Sequence, residues 1–151
     1  MGVTSIVPAN FVLPAPIATS RFRLALLGPE HNESDYAAWT ASMGFIRGLP
    51  GWARSTWPTP MTLEENLNDC RSHLSRSHAG SDFAYTVLRP DRAEVIGCVY
   101  FKPPTPARED AVGIHSWVTA EHRHLDKPIY DAVTVWLAQK WPWSIVNYAP
   151  R

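Results

Sequence analysis

One histidine and one basic segment near the carboxyl-terminal end of the chain have residue types that could do chemistry. His115 interrupts an otherwise apolar run, residues 111–118. A histidine suits a general base because its free pKa lies near neutrality. The polar run 119–126 follows directly and contains Arg123 and His124, which would attract an anion. The pattern therefore predicts a candidate base inside a strand and an anion-binding loop directly after that strand.

The elements around these residues place the loop between a strand and a helix. Residues 111–118 have the apolar composition of a buried strand, and residues 144–148 predict a last short strand. Between them, Asp126 can act as the N-cap of a helix, and Pro128 suits its first turn. Two strands joined by a helix usually lie parallel. We therefore expect the backbone N–H groups of residues 123–127 to face an anionic ligand near the strand ends.

The preceding part of the chain predicts three more strands and two helices. Gly97 lies inside one of these strands and indicates a bulge or a close backbone approach. A capping box formed by Thr62 and Glu65 opens the second helix. Alternation and helical spacing give strands at residues 22–27, 83–88 and 94–102, the last two as an antiparallel hairpin, and helices at residues 33–42 and 62–77.

The segment 44–60 is rich in both proline and aromatic residues, and its role has two interpretations. As a loop, it could simply cover the hydrophobic core. It could also form one wall of a ligand pocket, because such pockets are lined by apolar and aromatic groups. The sequence leaves both interpretations open.

The composition is typical of a globular chain without a strong charge bias. The chain has 151 residues, of which 45% are hydrophobic, and 14 basic side chains balance 14 acidic ones. We therefore expect one domain with a core, and no nucleic-acid or membrane partner. No apolar run is long enough to span a membrane and the start lacks a signal-peptide pattern, so we expect a cytoplasmic protein.

The cysteines and histidines do not predict a metal site. Two cysteines make neither a disulfide framework nor a zinc site. His73 and His78 flank the end of the second predicted helix, and we expect both to face solvent, because zinc needs three or four convergent ligands.

The order of the predicted elements resembles that of the GNAT superfamily of N-acetyltransferases. Residues 93–100, Ala-Glu-Val-Ile-Gly-Cys-Val-Tyr, are similar to the family's glycine-containing strand. Residues 111–118, Ala-Val-Gly-Ile-His-Ser-Trp-Val, are similar to the long strand that leads into its acetyl-CoA loop. The resemblance covers residues 21–148. It implies an α+β fold with a mixed, mostly antiparallel central sheet flanked by helices, formed by residues 21–151 after an N-terminal arm at residues 1–20.

The resemblance also implies a function and a set of site residues. The expected reaction moves an acetyl group from acetyl-CoA to an amine of a small molecule or a peptide. His115 would be the base, and Tyr148 or Tyr130 the acid that protonates the leaving thiolate. The residues expected to contact acetyl-CoA are Trp117, Val118, Thr119, Arg123, His124, Asp126 and Lys127.

The sequence departs from the family pattern in two places. The family's pyrophosphate loop has glycines in the pattern Q/R-x-x-G-x-G/A, whereas residues 121–126 contain none. The family also continues past the fifth strand with a helix and two strands. Two alternatives follow: a non-catalytic GNAT-fold module for ligand binding or dimerisation, and an unrelated α+β binding domain. We also expect the edge at residues 144–148 to be covered, by a homodimer or by Phe11 to Leu13 of the arm.

Overall fold

The computed structural model describes residues 5–151, so the first four residues of the predicted arm lie outside the described part. The strands are β1 (Arg23–Leu26), β2 (Phe83–Leu88), β3 (Val95–Lys102), β4 (Val112–Val118) and β5 (Val146–Tyr148). The helices are α1 (Asn32–Thr40), α2 (Met43–Arg47), α3 (Leu63–Ala79) and α4 (Asp126–Lys140), with short 3-10 segments at Pro29–His31, Pro106–Arg108 and Ala120–Leu125. None of the helices in residues 5–151 is both long and apolar enough to cross a membrane.

The strands form one sheet in chain order, β1-β2-β3-β4-β5. Neighbouring strands are antiparallel except β4 and β5, which are parallel and joined through α4. This confirms the predicted α+β class and the mostly antiparallel sheet. β5 is shorter than predicted, and its pairing with β4 runs only from Val112↔Val146 to Ile114↔Tyr148. Among the described residues, the last residues of β4 therefore continue beyond β5 without a strand partner on that side.

Helices cover both faces of the sheet. α4 and the N-terminal arm pack on one face, against a core that includes Phe83, Tyr85, Phe101 and Ile114. The first three helices cover the other face, where Trp39, Ile46, Cys70 and Trp117 are buried. Successive side chains of a strand point to opposite faces. His115 and Trp117 of β4 therefore face α1 to α3, whereas Ile114 and Val118 face α4.

The ends of α3 follow from local sequence. The Thr62 hydroxyl accepts a hydrogen bond from the Glu65 N–H, and the Glu65 carboxylate accepts one from the Thr62 N–H, which confirms the predicted capping box. Gly80 ends the helix at φ 70°, a left-handed conformation that favours glycine. The predicted loop at residues 44–60 is partly wrong, because Met43–Arg47 form α2, and only the rest of the segment is irregular.

Gly97 marks a close approach of two strands, as the sequence predicted. A Cβ atom at this position would lie 2.3 Å from the carbonyl oxygen of Trp117. The register also shifts between Val87 and Leu88 on the neighbouring strand. Both predicted features, a bulge and a close backbone approach, therefore occur at this glycine.

The described part of the N-terminal arm, residues 5–20, does not pair with β5. The carbonyl of Ile17 accepts a hydrogen bond from the Leu24 N–H of β1, and the Ile6 N–H donates to the Gly80 carbonyl. The Phe11 ring lies 5.4 Å from the Trp141 ring, and the arm packs on the aromatic residues after α4. The expectation that the arm covers the β5 edge is wrong because this apolar surface attracts it instead. The expected homodimer stays a prediction.

Candidate functional site

The irregular segment after α2 stands beside β4 because two tryptophans anchor it. The indole Nε1 of Trp52 donates a hydrogen bond to the carbonyl oxygen of Ser116 over 2.8 Å. The Trp57 ring packs between those of Trp39 and Trp117, at centroid distances of 5.3 and 5.9 Å. Large aromatic groups at both anchors hold the segment as a wall over the sheet.

A cavity of about 520 Å³ lies between this wall, the sheet, α1 and α3. Trp52 and Trp57 form its wall, and Tyr100 and His115, which are paired neighbours on β3 and β4, belong to its floor. The structure thus confirms that part of segment 44–60 is a pocket wall. A volume of this size and an aromatic lining suit a small molecule or one side chain of a larger one.

His115 lies half-buried in this cavity with its ring 5.9 Å from that of Trp52. Burial lowers the pKa of the His115 imidazole, and the charges of Arg108 and Lys102 lower it further. The imidazole is therefore neutral at neutral pH and can accept a proton. His115 meets the two requirements of a general base, access to a cavity and an unprotonated ring nitrogen.

His73 also lines the cavity, so the expectation that it faces solvent is wrong. Its ring lies 5.6 Å from that of Tyr100, and its Nδ1 is 3.0 Å from a guanidinium nitrogen of Arg76. Burial lowers the pKa of His73 to about 4. The helical spacing placed His73 on α3 but did not show that this turn faces the sheet. His78, by contrast, is exposed.

The side of the cavity that α1 and α3 form is acidic, and its polar side chains are hydrogen-bonded to one another. Asp35 is 5% exposed, and its Oδ2 accepts a hydrogen bond from Asn66 Nδ2 over 3.1 Å. Asn66 also accepts a hydrogen bond from Trp39 Nε1 and donates to Asn32 Oδ1. Burial raises the pKa of Asp35 to about 6, although the Asn66 hydrogen bond opposes this shift. The carboxyl group is therefore mostly ionised at neutral pH in an apolar setting.

The two cysteine thiols do not offer a nucleophile. Cys98 is fully buried and Cys70 nearly so. Burial raises the pKa of the Cys70 thiol to about 12 and that of Cys98 well above its ordinary value, so both stay protonated. Within residues 5–151, no three His, Cys, Asp or Glu side chains converge to hold a metal ion.

A gap opens between β4 and β5 beyond Ile114 and Tyr148, and Arg151 fills it. The Arg151 side chain is 3% exposed, and its Nε donates a hydrogen bond to Asp126 Oδ2 over 2.8 Å. Its Nη2 donates to the Ser116 carbonyl oxygen over 2.7 Å, and its Nη1 donates to the Pro50 carbonyl oxygen over 3.1 Å. The guanidinium thus ties β4, α4 and the cavity wall together.

The two candidate acids lie at this gap, on the α4 side of the sheet. The Tyr148 hydroxyl is 2.6 Å from Ser116 Oγ, and its ring centroid is 4.6 Å from that of Tyr130. Burial raises the pKa of Tyr148 to about 12, which keeps the hydroxyl protonated. The His115 side chain points to the opposite face of the sheet. The β4 backbone beside the gap therefore lies between the two predicted catalytic side chains, His115 and Tyr148.

The predicted acetyl-CoA residues fall into a buried and an exposed group. Trp117 and Val118 are buried in opposite cores, and the Trp117 indole donates a hydrogen bond to the Tyr100 hydroxyl over 3.0 Å. Thr119 bonds through Oγ1 to the His122 ring. Arg123, His124 and Lys127 are exposed beyond the strand end. The first group can contact a ligand only along the backbone, whereas the second presents cationic or ionisable side chains.

The start of α4 differs from the predicted one at its N-cap. The N-cap of α4 is Leu125 rather than Asp126, whose carboxylate accepts a hydrogen bond from Arg151 instead. The N–H of Asp126 donates to the Arg123 carbonyl oxygen, because the 3-10 segment Ala120–Leu125 runs directly into the helix. One of the N–H groups in the predicted phosphate-binding range, that of Asp126, is therefore already used inside the helical run.

Sequence reasoning missed three residues at the site: Asp35, Asn66 and Arg151. Asp35 lies on α1 and Asn66 on α3, and these two helices pack against each other beside the cavity. A single sequence does not show which faces of two helices will be in contact. A signal existed for Asn66, since it follows the capping box and shares the spacing of the apolar stripe of α3. Nothing in the local sequence distinguishes Arg151.

Comparison with known proteins finds similarity in structure but not in sequence. No family model matches the chain, and no curated protein matches it. A ribosomal-protein-S5-alanine acetyltransferase from Vibrio fischeri superposes with a TM-score of 0.64 at 10% identity, over 83% of this chain and 68% of that one. An acetyltransferase from Salmonella typhimurium that modifies the N-terminal serine of a 50S ribosomal protein gives 0.60 at 12% identity, over 80% and 63%.

A third structure shows the same fold with ligands present. The microcin C7 self-immunity acetyltransferase MccE, solved with acetyl-CoA and AMP, superposes with a TM-score of 0.60 at 14% identity. The match covers 86% of this chain and 68% of that one, and the chain spans about two thirds of the length of these three structures. These superpositions show that the chain shares the fold of these acetyltransferases, which is the fold of the GNAT superfamily.

Proposed function

We propose that this protein transfers an acetyl group from acetyl-CoA to an amine of a small molecule or a peptide. The observation that carries the proposal is the placement of His115 and Ser116. His115 faces the aromatic cavity, and the backbone of the next residue borders the gap between β4 and β5. An acceptor in the cavity and a thioester in the gap would therefore meet at one point of β4. Structures of this fold named as acetyltransferases support the reaction type.

The chemistry needs one base and one acid. The neutral His115 imidazole takes a proton from the acceptor amine, and the amine nitrogen attacks the thioester carbonyl carbon. The new C–N bond forms as the C–S bond breaks, and the CoA thiolate leaves. Tyr148 would give its proton to that thiolate, since its hydroxyl is protonated at neutral pH and lies at the gap. The amide and free CoA are the products.

The chain's own residues would bind acetyl-CoA at the mouth of the gap. Arg123 and Lys127 carry exposed positive charges beyond the end of β4, and His124 lies between them. These side chains would hold the phosphates, while the backbone of residues 117–119 would border the acyl chain. The Arg151 guanidinium must leave the Ser116 carbonyl before that carbonyl can contact the acyl chain. This displacement and the glycine-free segment both predict weak affinity, micromolar or poorer, or about −8 kcal/mol at best.

Two measurements test the proposal. Calorimetry should show acetyl-CoA binding, and a thiol-detecting assay with a panel of primary amines should show CoA release that depends on the amine. A matched His115→Gln variant should keep binding and lose amine-dependent release. The absence of binding at millimolar acetyl-CoA, or equal release by the variant, would rule the proposal out.

A second function follows from the same gap. Arg151 fills the space between β4 and β5, and residues 121–126 offer no glycine for phosphate contacts. Both features favour a non-catalytic GNAT-fold protein that binds a ligand in the cavity alone. In that case the same calorimetry should detect an amine ligand and no acetyl-CoA, and CoA release should not exceed the rate without protein.

A further inference from the structure

The cavity contains a carboxylate that its protein surroundings satisfy only in part. Asp35 is 5% exposed, and the hydrogen bond from Asn66 to Oδ2 is the only one to its carboxylate among residues 5–151. Asp35 also lines the cavity. Burying an ionised carboxylate without an opposite charge is costly. A positively charged group in the cavity would offset that cost.

The groups around Asp35 suit a cation and not a second anion. Trp57 and Tyr100 line the same cavity, and aromatic faces attract cations. Asp69, another acidic residue, also lines it. The Asn66 amide already donates to Asp35 and to Asn32, so both of its N–H groups are used and none is left for an anion. Hydrogen-bonding capacity, charge and aromatic surface therefore favour an organic ammonium group.

The basic residues that line the cavity are not paired with Asp35 among residues 5–151, and several of them carry no charge or lie near another carboxylate. Lys102 Nζ is 4.0 Å from Asp82 Oδ2, and Arg54 is exposed at the rim. His73 and His115 are neutral at neutral pH because burial lowers the pKa of each. No basic side chain is hydrogen-bonded or ion-paired to Asp35 among residues 5–151. The carboxylate can therefore bind a cation that enters the cavity.

We propose that the cavity binds a small diamine, with one nitrogen held as an ammonium by Asp35 and the other beside His115. A nitrogen that stays protonated in an ion pair with Asp35 has no lone pair and cannot attack a thioester. The nitrogen that His115 deprotonates must therefore be a second one. Asp35 lies on α1, which packs on β3, whereas His115 lies on β4, so a spacer must join the two nitrogens. The role of this diamine as acetyl acceptor rests on the proposed function, but its binding does not.

The test measures binding to the full chain without acetyl-CoA. Tryptophan fluorescence and calorimetry would be used with three probes that share a four-carbon chain: 1,4-diaminobutane, butylamine and 4-aminobutanoate. We expect 1,4-diaminobutane to bind at least tenfold more tightly than butylamine, which can fill only one of the two nitrogen positions. Asp35→Asn should weaken binding of the diamine at least tenfold, whereas Asp91→Asn, which removes an exposed carboxylate outside the cavity, should leave its affinity unchanged.

Three other outcomes would overturn the proposal. Equal affinities for the diamine and butylamine would show that no second nitrogen is recognised, and this comparison needs only the wild-type protein. Tightest binding of 4-aminobutanoate would assign the cavity to a zwitterion paired with Lys102 or Arg54. An Asp35→Asn variant that folds and keeps the wild-type affinity for the diamine would place the cation at another residue. Diamine binding through Asp35 without acetyl transfer would refute the proposed function alone.

Discussion

The Nε of Arg151 donates a hydrogen bond to Oδ2 of Asp126 over 2.8 Å, and this ion pair closes the gap between β4 and β5. Arg151 is almost fully buried, and Asp126 is 16% exposed. The same guanidinium bonds to the Ser116 carbonyl, so one side chain joins the start of α4 to the end of β4. The pair therefore affects both the stability of the protein and access to the proposed acetyl-CoA site.

Replacing this arginine should destabilise the protein. Arg151→Met keeps the apolar stem but leaves the Asp126 carboxylate without its partner, and removing one member of a buried pair costs about 3 kcal/mol. Urea unfolding should show that loss of free energy of unfolding. Lys127→Met is the control, because Lys127 and Asp131 form an exposed pair whose loss should cost below about 1 kcal/mol. Equal losses would show that the Arg151 pair is not important for stability.

Reversing a charge in the proposed phosphate site should weaken acetyl-CoA binding. Arg123 is exposed, lies over the Phe45 ring and has no carboxylate ion-paired to it among residues 5–151. Arg123→Glu should raise the calorimetric Kd for acetyl-CoA about tenfold. Arg21→Glu makes the same charge change on the exposed surface before β1 and should leave Kd unchanged. An unaltered Kd for Arg123→Glu would place the phosphates elsewhere.

Replacing the proposed base should change both rate and pH profile. His115→Gln should lower kcat about a hundredfold with little change in KM for acetyl-CoA, since the side chain acts only on the acceptor. In the wild type, kcat should be constant around neutral pH and should fall below pH 6.5, because burial lowers the pKa of His115 from 6.5 and the protonated ring cannot accept a proton. The variant should lack this acidic decline. A variant that keeps it would assign the titration to another group.

Removing the buried charge of Asp35 should stabilise the protein in a pH-dependent way. Its folded-state pKa of about 6 lies above the ordinary 3.8, so the ionised form is disfavoured by folding. That cost is fully present above the folded pKa and disappears as the pH falls below 3.8, for a total of about 3 kcal/mol.

Asp35→Asn keeps an oxygen for the Asn66 hydrogen bond and removes the charge. Its free energy of unfolding should exceed that of the wild type at pH 8, and the excess should vanish near pH 4. Thermal unfolding over this range measures it, and Asp91→Asn should show no such dependence. An Asp35→Asn variant that is less stable than the wild type at pH 8 would mean that the carboxylate contributes more to folding than its burial costs.

The close approach of the Trp117 backbone to Gly97 should make substitution of this glycine destabilising. A Cβ atom there would meet the Trp117 carbonyl oxygen at 2.3 Å, so the strands must separate locally. Gly97→Ala should reduce the free energy of unfolding by about 2 kcal/mol in a urea titration. Gly44→Ala is the matched control, because nothing lies within 4 Å of its Cβ position in α2, and alanine favours helix. Unchanged stability of Gly97→Ala would show that the sheet adapts without cost.

The sequence alone determined the elements and much of their order. Local chemistry decides these features: the Thr62 and Glu65 side chains cap α3 directly, and the apolar alternation of β2 and β3 requires a sheet. The helix between β4 and β5 imposed their parallel pairing. The aromatic content of segment 44–60 indicated apolar packing, because tryptophans need apolar partners, but it left a cover over the core and a pocket wall as alternatives. His115 could be singled out because one ionisable group in an apolar strand is a local feature.

Only the tertiary structure decided which distant residues meet at the site. Asp35, Asn66 and His115 lie on three different elements, and their shared cavity depends on the packing of α1 and α3 on the sheet. The side chain of Asp126 could have capped α4, but the 3-10 segment already satisfies that turn, and Arg151 binds the carboxylate from 25 residues away. Contacts of this range depend on the three-dimensional path of the chain, whereas caps and alternation depend on neighbours within a few residues.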